Sequence, residues 1–201
     1  MKRTVWLWLI LVSALAGCLI KLGVPVGKFH WHQFRYFTTL SNLLAALYCV
    51  YALLRGRSGV SPLFRGMVLM ALLVTGIVYH LLLSDVFGGA TPFSMNWWGN
   101  HLVHTITPLL MAAEWLLVRE GTALTWYHPL VWALFPLAYM GVTVAVAKMG
   151  ICFPYSNTPY PYPFLDVWAL GWGPVLRNAA LLVTGFMALG YGLVGLDRLG
   201  R

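Results

Sequence analysis

Two short polar runs interrupt an otherwise apolar chain, and both carry groups able to do chemistry. The first is Thr38-Thr39-Leu40-Ser41-Asn42. Thr38, Ser41 and Asn42 are spaced i, i+3, i+4 and therefore share one helix face. The second is Asn100-His101-Leu102-Val103-His104-Thr105-Ile106-Thr107, in which Asn100, His101, His104 and Thr107 fall on one face by the same steps. A hydroxyl beside an imidazole is the minimum set for nucleophilic acyl transfer. The hydroxyl is a weak nucleophile until a base takes its proton, and neutral His is suited to that near pH 7. Thr38 and His104 sit at matching depth on different helices, so a hydrogen bond between them is sterically reasonable. Asn42, Asn100 and His101 are the donors within reach of a developing oxyanion. A third element, Tyr160-Pro161-Tyr162-Pro163-Phe164-Leu165-Asp166, ends in one of the five acids of the chain. It brings Tyr162 and Asp166 to the same level, and the three elements together suggest a polar pocket between the second and fourth long helices.

Each of these groups also has a plainer reading. Ser, Thr, Asn and His hydrogen-bond between membrane helices as packing contacts, at roughly 0.6 kcal/mol each. Two imidazoles beside Asn100 exceed what packing requires; His80, followed by Asp85, fits either reading. Pro108 follows His104 by four residues, so the His104 carbonyl is expected to lose its helical donor and the helix to kink there. Glu114 lies deeper, about 80° round the helix from His104, and a structural partner such as an Arg, Trp or Tyr is expected for it. A metal site can be drawn from His80, His101, His104 and Asp166, since imidazole and carboxylate suit zinc or iron. H-x-x-H alone is weak support for one, and no cofactor is expected. No G-x-S-x-G elbow, H-E-x-x-H helix or phosphate-cradling Gly loop occurs.

The elements that must position these residues are set by composition. Of 201 residues, 60% are hydrophobic and only 9% charged, against about 25% charged in a soluble domain. That is the composition of an integral membrane protein. The net charge of +8 is scattered singly between apolar runs, with no stripe to follow a phosphate backbone, which excludes nucleic acid as a partner. Cys18, Cys49 and Cys152 make neither a disulfide framework nor a zinc spacing. A hydrocarbon core about 30 Å thick needs roughly 20 apolar residues per helix. Six stretches qualify, at residues 5–22, 37–54, 67–86, 100–118, 129–149 and 175–196. The expected fold is all-α: a polytopic membrane protein whose six transmembrane helices form a single bundle and one domain over residues 1–201. Leu15-Ala16-Gly17-Cys18 has the form of a lipoprotein cleavage box. The apolar run continues past it through Leu19 and Ile20, so a retained first helix is expected. With six spans, Lys2, Arg3, Arg55, Arg57, Arg65, Arg119, Arg198 and Arg201 fall on one side, and Lys21, Lys28, Arg35, Lys148 and Arg177 on the other. The positive-inside rule then puts both termini in the cytoplasm and the polar pocket near the outer face.

At three places the chain resembles the androgen-induced-gene family of six-helix membrane proteins, as a bacterial member. These are Phe34-Arg35-Tyr36-Phe37-Thr38, Trp98-Gly99-Asn100-His101-Leu102-Val103-His104-Thr105, and Tyr162-Pro163-Phe164-Leu165-Asp166. The resemblance covers nearly the whole chain in span number and motif order. Animal members hydrolyse fatty acid esters of hydroxy fatty acids with a Thr nucleophile and a His general base. By position the resemblance implies those roles for Thr38 and His104, and Glu114 matches the family's acid in its spacing from that His. The doubled Thr38-Thr39, the Leu40-Ser41-Asn42 tail and the extra Pro-Tyr repeats depart from animal members, and His80 has no counterpart. The catalytic pair survives these departures; the substrate is left open. The expected function is a cofactor-independent lipid ester hydrolase of the bacterial inner membrane, with membrane lipids and a lipid ester as partners. The alternative is a binding or transport protein that holds a lipid or small ligand in the same pocket without chemistry.

Overall fold

The computed structural model describes residues 3–56, 60–118, 124–154 and 156–199. They form six long helices and, among the described residues, no strand. The helices are α1 (Arg3–Lys21), α2 (Phe37–Arg55), α3 (Pro62–Phe87), α4 (residues 95–117), α5 (His128–Ala147) and α6 (Trp172–Leu199). Two of them contain a π-helical turn, Tyr79–Leu83 in α3 and Leu102–Ile106 in α4. Five of the six, all but α4, are long and apolar enough to cross a membrane. In α4 the residues Asn96, Asn100, His101, His104 and Glu114 hold the hydropathy down. The chain divides into two compact units, Met1–Ala123 and Leu124–Arg201.

The first unit holds α1 to α4. In α1 the buried positions Leu7, Ile10, Leu11, Ala14 and Cys18 follow the i, i+3, i+4, i+7 pattern of one helix face. The opposite face carries Val5, Trp8, Leu9, Val12, Leu15 and Leu19, all exposed. A helix that is apolar all round suits lipid rather than water. Gly23, in the left-handed region at φ 77°, ends α1, and Gly56 at φ 68° ends α2. Pro62 opens α3, where its missing N–H would have had no helical partner. The core is built from Ile10, Ala14, Tyr48, Cys49, Val68, Leu69, Leu72, Val103 and Met111. Close approach of α1 to α4 depends on two glycines. A Cβ on Gly17 would lie 2.6 Å from Val103 Cγ1, and one on Gly99 would lie 2.7 Å from Ile20 Cγ2. A hydrogen bond of 2.7 Å between Ser13 and Thr107 joins the same two helices.

The other end of this unit is held by charge. Glu114 is fully buried and receives Arg65 Nη2 at 2.8 Å and Arg65 Nε at 3.1 Å. Arg3 Nε lies 3.4 Å from the other carboxylate oxygen, and Arg3 Nη2 donates to Tyr48 Oη at 3.1 Å. Arg65 also donates to the carbonyls of Glu114 and Val118, which closes the end of α4. Arg3 and Arg65 lie just outside the expected spans 5–22 and 67–86, and the structure makes both helical and buried. A carboxylate in this core cannot remain charged unpaired, and these are the groups that compensate it. Lys2, Arg57, Arg119 and Arg201 of the same charge count lie outside the described residues.

In the second unit α5 crosses α6 where a Cβ on Gly190 would lie 2.9 Å from Pro129 Cβ. Asp197 accepts the Leu124 N–H at 2.9 Å. Asn178 Nδ2 donates to the Phe164 carbonyl at 3.1 Å and ties the Pro-Tyr segment to α6. Burial and the nearby Asp166 charge push the Tyr160 hydroxyl above its ordinary range.

Because the Glu114 cluster is buried, its partners are not interchangeable with water. Glu114→Leu leaves Arg65 and Arg3 without their counter-charge and is expected to cost about 3–5 kcal/mol. Glu114→Gln keeps an acceptor for Arg65 and is expected to cost less. Thermal unfolding of the detergent-solubilised protein, followed by gel filtration, measures both. Equal melting points for wild type and Glu114→Leu would contradict the pairing.

Candidate functional site

Thr38 is the second residue of α2, and Tyr36 before the helix offers no side-chain cap. The amide groups of the first turn have no acceptor within their own helix, and the positive end of the helix dipole lies there. The half-buried Thr38 hydroxyl meets buried His104, with Oγ1 3.2 Å from Nε2. The Asn100 carbonyl, 3.0 Å from His104 Nδ1, can only accept a hydrogen bond. Nδ1 therefore carries the ring proton, and Nε2 has its lone pair free for the Thr38 hydroxyl. That is the tautomer a general base needs. Tyr79 lies flat on the His104 ring, with centroids 3.8 Å apart and planes 16° from parallel.

Both π turns serve this arrangement. One extra residue in each turn re-aims the side chains that follow, and such turns concentrate at functional sites. The turn in α3 presents Tyr79 to His104, and that in α4 carries His104 itself. The α4 turn also moves the defect caused by Pro108. The Thr107 N–H reaches Leu102, five residues back. In this register the donor that Pro108 lacks belongs to Val103, not to His104 as expected for an α-helix. Asn42 Nδ2 supplies it, donating to the Val103 carbonyl at 3.1 Å and to the Thr38 carbonyl at 2.9 Å. Gly76 lets α3 come close, since a Cβ there would lie 3.0 Å from the His104 carbonyl.

The remaining expected residues divide between support and other duties. Asn42 uses both amide hydrogens on carbonyls, so it positions Thr38 and has none left for an oxyanion. Its Oδ1 and the hydroxyl of neighbouring Ser41 are buried without a hydrogen-bond partner, a state that costs about 1–3 kcal/mol per group. Asn100 accepts from Lys21 Nζ at 2.7 Å and donates to the Phe87 carbonyl at 3.3 Å. His101 bonds the Trp97 carbonyl through Nδ1 at 2.9 Å, and its ring stacks on Trp97 at 3.7 Å. His80 meets Thr105 at 2.9 Å and so links the two π turns. Glu114 belongs to the ion cluster with Arg65 and Arg3. In the second unit, Tyr162 stacks on Phe164, and Asp166 caps a short helix by accepting the Ala169 N–H at 3.0 Å. No group of three or more His, Cys, Asp or Glu that could hold a metal ion occurs among the described residues, and His80, His101, His104 and Asp166 form none. Sequence reasoning missed Tyr79 and Lys21. Neither sits in a polar run, and a π turn leaves no periodic signal.

If Asn42 compensates the Pro108 defect, the two positions are coupled. Asn42→Leu is expected to destabilise by about 1–3 kcal/mol, and by less in a Pro108→Ala background, where position 108 again has an N–H. A double-mutant cycle on unfolding free energy reads the coupling, and additive effects would break the link.

Compared with known proteins, the chain matches no family model, no curated protein and no solved structure.

Proposed function

We propose that this chain is a polytopic membrane hydrolase that cleaves a lipid ester, with Thr38 as nucleophile and His104 as general base. The observation that carries the reading is the 3.2 Å contact between Thr38 Oγ1 and His104 Nε2, made while the Asn100 carbonyl occupies Nδ1. In the first step the Thr38 proton passes to His104 Nε2 as Oγ1 bonds to the ester carbonyl carbon, and the carbonyl electron pair moves onto oxygen. Collapse of that oxyanion breaks the bond to the alcohol, which takes the proton from His104. Water then attacks the acyl-threonine with His104 again accepting a proton, and collapse of the second oxyanion breaks the bond to Thr38 Oγ1, which takes that proton back from His104 as the acid leaves. The positive end of α2 favours negative charge at Thr38. Resemblance to the androgen-induced-gene family points to the same two residues and to a lipid ester as the substrate class.

On this reading all six helices cross a bilayer. Residues 95–117 extend about 35 Å, enough to span a hydrocarbon core of about 30 Å. The polar groups of α4 are turned to partners on α1, α2 and α3, through Ser13, Lys21, Asn42 and Arg65, as intramembrane polar residues must be. The exposed apolar face of α1 then meets lipid, and exposed Phe29 and Trp31, with ring centroids 4.4 Å apart, suit the interface. We take from the charge count that both termini lie on the cytoplasmic side of a bacterial inner membrane and the Thr38–His104 pair near its outer face. Long acyl chains can then reach the pair sideways from lipid without crossing water.

Two measurements test the proposal. Thr38→Ala and His104→Ala are each expected to reduce ester turnover at least 10³-fold, with the double variant hardly worse than either alone, because the two act as one unit. Thr38→Ser is expected to retain activity, and His101→Ala to lose roughly 10–100-fold. Full activity in folded Thr38→Ala would remove the nucleophile, and a folded wild type that binds lipid without cleaving any ester would favour the binding reading. For topology, a reporter fused after Arg201 is expected to be cytoplasmic, and a cysteine placed in residues 88–94 to react with an impermeant thiol reagent from outside. An outward C-terminus would contradict the six-span orientation.

A further inference from the structure

Lys21 is the last residue of α1, and its side chain reaches Asn100, the residue whose main-chain carbonyl holds His104. It lies along α4 over Gly99, where an added Cβ would be 3.4 Å from Lys21 Cδ. Its ammonium ends 2.7 Å from Asn100 Oδ1. Asn100 itself is buried, and it is the residue whose main-chain carbonyl holds His104 Nδ1 at 3.0 Å. Lys21, Asn100, His104 and Thr38 thus form one continuous hydrogen-bonded chain that ends on the nucleophile.

The choice of partner matters. An ammonium has three donors and carries a full charge, and here its partner is a neutral amide. The carboxylate of Glu114 is engaged by Arg65 and Arg3. Lys21 is half-buried, and a cation held beside a neutral amide there costs more than a neutral donor would if its only task is to join two helices. It becomes useful where negative charge must form nearby.

We infer that Lys21 is a positioning residue for the hydrolysis: it fixes Asn100, and through it the His104 tautomer, while its positive charge offsets the oxyanion formed when Thr38 attacks. This rests on the reading of Thr38 and His104 as nucleophile and base. No new covalent step is added. The proton still moves from Thr38 to His104, and Lys21 keeps its own throughout.

The test uses the full chain in detergent with p-nitrophenyl octanoate, a neutral ester that offers Lys21 no anionic group to bind. Lys21→Met is expected to lower kcat roughly 10–100-fold with KM nearly unchanged, as for loss of a charge acting mainly in the transition state. Lys21→Arg, which keeps charge and donors, is expected to recover most of the rate. Lys21→Gln, which keeps a donor for Asn100 without charge, is expected to fall between them and provides the comparison if Lys21→Met does not fold. Wild-type kcat in folded Lys21→Met or Lys21→Gln would overturn the inference, as would Arg performing no better than Gln. A parallel assay with an ester bearing a terminal carboxylate separates the competing role. A loss confined to that substrate and appearing in KM would make Lys21 an anchor for an anionic head and overturn the positioning role. The underlying reading fails differently. A wild type that neither hydrolyses the neutral ester nor is labelled at Thr38 by a fluorophosphonate would remove the hydrolase itself, whereas Thr38-dependent turnover indifferent to Lys21 would remove this inference alone.

Discussion

When a π turn runs into a proline, one main-chain carbonyl is left without a donor in its own helix. Val103 is buried, so water is not at hand to replace that donor, and an unsatisfied carbonyl is expensive. The first unit is arranged around this constraint at Val103. Asn42 reaches across from α2 to supply the missing hydrogen and with its other amide hydrogen holds the Thr38 carbonyl. A defect in α4 is thereby converted into a fixed register between α2 and α4, and that register brings Thr38 Oγ1 to His104 Nε2. The same π turn allows the His104 ring to lie under Tyr79, which the neighbouring π turn of α3 presents.

The charged residues obey a related rule at the two ends of α4. At one end Glu114 is compensated by Arg65 and Arg3, and the cluster includes Tyr48 and the last carbonyls of the helix. At the other end Lys21 meets Asn100. The two ends differ in kind. The Glu114 cluster joins opposite charges, with Arg65 hydrogen-bonded to one carboxylate oxygen and Arg3 ion-paired to the other, which is how a buried carboxylate becomes tolerable. The Lys21 end joins a charge to a dipole, and Asn100 hands the constraint on to His104 through its backbone. The first closes the end of α4, while the second is joined to the Thr38–His104 contact through the Asn100 carbonyl.

Much of this was legible in the amino-acid order, because helical periodicity places residues on faces without reference to the rest of the chain. The all-helical class follows from the length of the apolar runs and the shared face of Thr38 and Asn42 from their spacing, whereas the buried stripe of α1 carries no polar contrast to mark it. The separate polar face of α4, which the fold brings opposite Thr38 and Asn42, follows from spacing as well. What could not be read is whatever depends on helix-to-helix register. Arg3 and Arg65 look like loop cations, since both flank apolar runs; only the position of Glu114 in the packed unit draws them inside. Pro108 points to His104 as the carbonyl losing its donor under α-helical counting, and the π turn transfers that loss to Val103. Tyr79 and Lys21 lie in apolar or terminal stretches whose composition gives no reason to single them out. The polar content that makes α4 the carrier of the site also keeps it outside the set of helices apolar enough to cross a membrane unaided.

The position of Thr38 at the start of a helix has its own chemical logic. In a helix interior a threonine hydroxyl commonly bonds the carbonyl four residues back, which occupies the oxygen and restricts its rotamer. At the second position of α2, four residues back is Phe34, which lies before the helix in the turn Trp31–Arg35. The hydroxyl has no helical carbonyl to bond and turns to His104 instead. That placement also puts it at the end of the helix where the dipole stabilises an anion. Moving the same Thr–His contact one turn deeper would offer the hydroxyl a competing backbone acceptor and take away the favourable field. On the proposed reading, reactivity at Thr38 therefore depends as much on where α2 begins as on the imidazole beside it.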